Sequence, residues 1–338
     1  MGKLIVHAGQ MKSSTTYIQK ILSKNRDLLS KKGFLYPGNS ENHQILFYKI
    51  CGSHIYWRNE KPNINHSGLS KLVEKINYEK ESGRNIVLSA EGLSSMDEKG
   101  VDFLYEALGG FDSVVFTIRS LHKTLPSAWQ QTLKSGSYSS LNDFFKKLER
   151  NRKNLEGYWR TYAFGNAAKI WGGYADVRAA LLPNETSSDS YSWELFCQSV
   201  GLNLNEKVSL PIDKVNSSIS QNTARLMRAV SLLADSEGLN KRDVARWFYN
   251  DFVLGSKVKG DKIFPPVEFK EVLDSWNYEE LALLKEHASI LSGSFDIYSE
   301  FENYNGKWLD KDKSIGELTQ YDSEMASHVV NFFKSKFK

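Results

Sequence analysis

The chain has little cysteine, no long apolar run and no strong excess of charge. Its two cysteines, Cys51 and Cys197, stand far apart among 338 residues. That spacing excludes a disulfide framework and a Cys-based metal site and suits a reducing cytoplasm. No apolar stretch approaches the roughly 18 residues of a membrane span. No basic lead and apolar core precede the β-rich run that starts at Lys3, so a cytoplasmic protein without a transmembrane segment is expected. Internal repeats and low-complexity tracts are absent too. Net charge is only +4, with Lys and Arg scattered, which fits attraction of a polyanionic nucleotide better than a nucleic-acid groove. With 41% hydrophobic residues the chain can bury a large core, as one big α/β domain or two smaller ones.

β-branched runs alternate with segments of helical period. Strands are expected at 3–8, 85–90, 113–118 and 175–182, with a short extended FLYP after Gly33. Helices are expected at 14–31, 42–50, 67–81, 98–109, 126–135, 142–162 and 193–200. Such alternation implies a central parallel sheet flanked by helices in three layers, P-loop-like. From about 221 the pattern turns mostly helical. The expected organisation is a nucleotide-binding α/β core over 1–220 and a helical region over 221–338 packed on it, within one domain.

The chemistry concentrates in two places. Lys3 to Leu22, KLIVHAGQMKSSTTYIQKIL, reads as a strand, a loop and a helix, and the loop carries Lys12 followed by Ser13, Ser14, Thr15 and Thr16. A strand-to-helix turn aims backbone N–H groups and the positive end of the helix dipole at an anion. Lys12 adds a point charge, and the hydroxyls can donate to phosphate oxygens or cap the helix. Met11 replaces the second glycine of the Gly-x4-Gly-Lys-Ser/Thr loop, which disfavours an ordinary ATPase or GTPase. In the second place, SVVFTIRSLHKTLPSAWQQTLKSG, Arg119 ends an apolar strand and Ser127 follows eight positions later. Pro126 suits only a first helical turn or a break, so LHKTL is expected to be a bend.

These two motifs, in this order, resemble sulfotransferases that use 3′-phosphoadenosine 5′-phosphosulfate (PAPS). The phrases KKGFLYPG, NIVLSAEGLS and VNSSIS are similar to stretches in bacterial sulfotransferase-like proteins. The resemblance covers about residues 3–220. It implies that Lys12, Ser13, Ser14, Thr15 and Thr16 hold the 5′-phosphosulfate, with Lys12 on the bridging oxygen. It implies that Arg119 and Ser127 hold the 3′-phosphate and that Asn216 and Ser218 lie against the donor. Sulfuryl transfer to a hydroxyl or amine of a glycan, lipid or small molecule is the implied activity. Adenosine 3′,5′-bisphosphate is the implied product, and no metal is required.

The departure is Ser14, where the family has glycine; if the loop needs a positive φ there, a β-carbon resists it and donor affinity falls. Glu91, ending the strand NIVLSA, is the first candidate for the base, with a cap or ion-pair role as its other reading. His43 is the second, as base or as a ligand for an acidic acceptor. His7, inside the first strand, reads as buried structure. A kinase-like phosphotransferase and a non-catalytic nucleotide-binding relative are the alternative functions.

Overall fold

A computed structural model describes residues 1–183, 190–203, 208–209, 218–254, 260–292, 297–302, 304–310 and 317–337. In chain order the elements begin with β1 (Leu4–His7), α1 (Thr15–Lys24), α2 (Arg26–Lys31), β2 (Phe34–Leu35), α3 (Gln44–Cys51) and α4 (Ser67–Glu81). They continue with β3 (Asn85–Ser89), α5 (Glu98–Leu108), β4 (Ser113–Arg119), α6 (Leu121–Lys134), α7 (Leu141–Arg152), α8 (Phe164–Gly172), β5 (Asp176–Leu182) and α9 (Tyr191–Val200). The remainder comprises α10 (Gln221–Ser236), α11 (Lys241–Phe248), α12 (Lys270–His287), β6 (Ser289–Leu291), α13 (Ile297–Glu302) and α14 (Gln320–Phe337). No described helix is long and apolar enough to cross a membrane.

The chain divides into two compact units. The first holds Met1–Leu121, Asn151–Val215 and Asp274–Tyr304, and the second His122–Arg150, Asn216–Leu273 and Asn305–Lys338. This division does not follow the expected boundary at 220. The C-terminal region is also not wholly helical, because β6 returns to the first unit's sheet and pairs with β5.

The first unit is built on a six-stranded, all-parallel sheet of order β2-β3-β1-β4-β5-β6. From β1 the chain passes to the edge of the sheet at β2, returns inward to β3 beside β1, and then crosses to the other side for β4, β5 and β6. The strand order therefore reverses at β1, and such a switch point opens a crevice at the strands' carboxyl ends. Alternation along the strands sends Ile5, Val87 and Val115 to one face, where they pack with Ile18 and Ile21 of α1 and Phe196 of α9. The intervening residues face the other way, where Phe116 meets Trp171 of α8 with ring centroids 6.3 Å apart. Helices thus cover both faces, which is the expected three-layer arrangement.

Three helical expectations need correction. The helix expected over 142–162 ends at Arg152, where the chain turns through Leu155 at φ 51° into a separate 3-10 turn, Gly157–Thr161. The segment 14–31 is two helices, α1 and α2, because Asn25 turns its side chain to the chain rather than to solvent. Its Nδ2 donates to the carbonyls of Ile21 and Ser209, and its Oδ1 accepts from the Ser209 N–H. LHKTL is helix rather than a bend. α6 starts at Leu121, whose N–H is capped by Asn277 Oδ1 at 2.9 Å, and runs through Pro126. That distant cap secures the first turn, so the single ladder bond lost at Pro126 does not end the helix.

In the second unit α10 packs on α14 and α11. Lys134 Nζ of α6 donates to the Tyr249 hydroxyl, and Arg228 Nε of α10 donates to the Tyr138 carbonyl. Trp247 stands edge-on to Phe252 and Phe333.

Candidate functional site

The loop between β1 and α1 leaves the sheet at the switch point. Past β1 the chain still follows β4: Ala8 N–H donates to the Val115 carbonyl and Gln10 N–H to the Thr117 carbonyl, both at 3.0 Å. His7 lies opposite Val115, so Met11 comes level with Arg119. Arg119 N–H donates to Gln10 Oε1 at 3.2 Å. The loop and Arg119 therefore stand at neighbouring carboxyl ends of adjacent strands.

Gly9 is required by close approach: a Cβ there would lie 2.3 Å from Thr117 Oγ1 and 2.6 Å from Thr15 Cγ2. Beyond it, Lys12 at φ 68° and Ser14 at φ 64° are both left-handed, while Ser13 between them is not. Alternation of hand is the geometry of an anion-binding concavity, although the Ser13 N–H itself is engaged by the Gln10 carbonyl. At Ser14 the positive φ that glycine adopts freely is reached by a serine, against a cost of about 1 kcal/mol. Its side chain makes no cap hydrogen bond to the first turn of α1, whose leading N–H groups have no acceptor within the helix.

The four hydroxyls do not act together. Ser13 and Thr15 are buried, whereas Lys12, Ser14 and Thr16 are partly exposed. Ser13 Oγ donates to the Gln10 carbonyl and lies 3.0 Å from Thr117 Oγ1. Its N–H also turns to the Gln10 carbonyl, so Ser13 ties the loop to itself and to β4. Thr15 Oγ1 donates to Glu91 Oε2 at 2.7 Å, joining the loop to the residue just past β3.

Glu91 opens a 3-10 turn, Glu91–Ser95, at the same end of the sheet. His43 precedes α3 and is buried, with both ring nitrogens engaged. Nε2 lies 2.9 Å from the Pro37 carbonyl and Nδ1 accepts from the Ser89 N–H at 3.0 Å. The carbonyl can only accept and the N–H can only donate, so the ring is neutral with its proton on Nε2. Burial pulls its pKa down to about 4, against the Pro37 and Ser89 hydrogen bonds.

Arg119 alternates with Val115 and Thr117 onto the face that α1 and α9 cover. Burial pulls its guanidinium below the ordinary arginine range, and the Glu300 carboxylate of α13 works in the opposite direction. Ser127 is partly exposed in α6 and belongs to the second unit, as does Ser218, which is exposed. Asn216 lies outside the described residues.

Several contributors escaped the motif reading: Gln10, Gln19, Ser89, Thr117 and Glu300. A signal for Ser89 and Thr117 existed, because β1, β3 and β4 are apolar runs interrupted near the carboxyl end by His7, Ser89 and Thr117, with Arg119 closing β4. Gln19 and Glu300 carry no comparable mark.

Comparison with protein families, curated proteins and solved structures yields no match for this chain.

Proposed function

We propose that the chain is a PAPS-dependent sulfotransferase, transferring a sulfuryl group to a hydroxyl or amine of a glycan, lipid or small-molecule acceptor. The observation that carries this reading is the pairing of a left-handed, lysine-bearing loop with a strand-end arginine at adjacent carboxyl ends of a parallel sheet, beside its switch point. A nucleotide with phosphate groups at both ends has an anion for each.

The 5′-phosphosulfate lies on the amides of the loop and first turn of α1, with Ser14 and Thr16 as the accessible hydroxyls and Lys12 at the bridging oxygen. Arg119 takes the 3′-phosphate; the parts of Ser127, Asn216 and Ser218 rest on the resemblance alone. In the transfer the acceptor oxygen or nitrogen bonds to sulfur as the bond from sulfur to the bridging oxygen breaks. Lys12 stabilises the charge that develops on that oxygen, and Glu91 takes the acceptor's proton. Thr15 orients the Glu91 carboxylate, which links donor loop and base through one hydrogen bond. His43, with both nitrogens engaged, holds the end of β3 instead. A bacterial-type enzyme in a reducing cytoplasm agrees with two cysteines that are buried and free of disulfide.

The test is donor turnover over a panel of acceptors. Lys12→Ala abolishes transfer and Arg119→Ala weakens donor binding; retention of both properties in the two variants refutes the assignment.

A further inference from the structure

Beneath the loop, β3, β1 and β4 share a buried string of polar side chains with no part in the transfer step. Gln19 Nε2 donates to Ser89 Oγ at 3.0 Å, and Asn42 Nδ2 donates to Gln19 Oε1 at 3.3 Å. Ser89 Oγ lies 2.9 Å from His7 Nδ1, His7 Nε2 lies 3.3 Å from Thr117 Oγ1, and Thr117 Oγ1 lies 3.0 Å from Ser13 Oγ. Ser13 Oγ ends the string on the Gln10 carbonyl. His7, Ser13, Ser89 and Thr117 are fully buried.

The two ends of the string fix every proton in it. The Gln10 carbonyl can only accept, so the Ser13 hydroxyl hydrogen is committed there and Thr117 must be the donor to Ser13. Thr117 Oγ1 then accepts from His7, which places the imidazole proton on Nε2 and leaves Nδ1 to accept from the Ser89 hydroxyl. Ser89 Oγ in turn accepts from Gln19. All donors point the same way, from α1 across the three strands and back into the loop. Burial agrees with a neutral ring, since it pulls the His7 pKa down to about 3.

We propose that this directed relay presets the anion-binding loop, with Thr117 and His7 as positioning residues that hold Ser13 inward. Lys12 and Ser14, on either side of it, are thereby kept left-handed and their amides turned outward. The Ser13 side chain ties the loop to the sheet through Thr117 Oγ1. Two strained neighbours persist only where their surroundings over-determine them, and a fully satisfied buried network supplies that constraint. Gly9 belongs to the same device: a Cβ there would press within 2.9 Å of His7 Nε2 as well as on Thr117.

The proposal rests on the nucleotide reading for its functional consequence but not for its structural one, and the experiment separates them. Thr117→Val removes the hydroxyl at nearly constant shape, and Thr117→Ser retains it. In Thr117→Val we expect amides 12–16 to exchange hydrogen faster. Affinity for adenosine 3′,5′-bisphosphate should fall about tenfold, the loss of one hydrogen bond realised in binding, and Thr117→Ser should restore both. Ser13→Ala, which cuts the last link alone, serves if Thr117→Val does not fold. A cut variant with wild-type exchange at 12–16 and wild-type affinity overturns the proposal, even if it melts at a lower temperature. Should the unaltered protein not bind the bisphosphate, the nucleotide reading fails and exchange at 12–16 alone decides the relay.

Discussion

Ser14 shows what a single β-carbon decides. A serine at φ 64° is strained by about 1 kcal/mol relative to glycine. Ser14→Gly should therefore raise stability by about that amount in thermal or urea unfolding while keeping nucleotide affinity at least equal; a lower melting temperature would show that the strain is absent. Glu91→Gln makes a second residue-scale test, because the amide can still accept from Thr15 Oγ1 but cannot take a proton. Turnover should drop by a factor of 100 or more with nucleotide affinity unchanged, as expected for loss of a general base; unchanged turnover would clear Glu91 of that role. That Lys12, the hydroxyl run, Glu91 and Arg119 gather at one end of the sheet was readable, because each follows or ends an apolar strand-like run. That Ser13 turns inward was not, since its partner Thr117 lies 104 residues away.

Among elements, the strands were legible wherever a β-branched apolar run was bounded by polar or glycine-rich turns, as in β1, β3 and β4. Two of the failures share one physical cause: a distant side chain satisfying a local backbone group. Asn25, bound to Ser209, splits one expected helix, and Asn277 extends another by capping Leu121. Asn277 is fully buried, so Asn277→Ala should leave the Leu121 N–H without an acceptor and cost about 1–3 kcal/mol in denaturant unfolding. A loss below 0.5 kcal/mol would mean that α6 is held by other contacts. β6 was missed because three residues are too few to display alternation.

At the scale of the whole molecule, acid stability follows from three buried groups of the first unit. His7 and His43 are held neutral, with pKa values near 3 and 4, whereas the unfolded chain protonates histidine near 6.5. Between those values the unfolded state binds more protons, so stability falls as pH drops below about 6.5. Glu280 works oppositely. Its carboxylate accepts from the Gly165 and Asn166 N–H groups at the start of α8, but burial pushes its pKa up to about 7. The folded state keeps that proton between roughly pH 4.5 and 7, and the stability it contributes is lost as pH rises through 7. Two protons against one leave a net slope near pH 5–6 of about 1.4 kcal/mol per pH unit, rising with pH. Glu280→Gln should steepen this acid arm and gain stability above pH 7, read by urea unfolding at pH 5 and 8. A variant no more stable than the parent at pH 8 would contradict the assignment.

The central claim is that the loop around Lys12 and the end of β4 at Arg119 grip the two phosphate groups of one adenosine nucleotide. The most direct measurement is the melting temperature with adenosine 3′,5′-bisphosphate against that with ATP and magnesium. A ligand at 100 times its Kd stabilises the folded state by about 2.7 kcal/mol, so the bisphosphate should raise the melting temperature by several degrees and ATP far less. An equal or larger shift with ATP and magnesium, or none with the bisphosphate, would contradict the account.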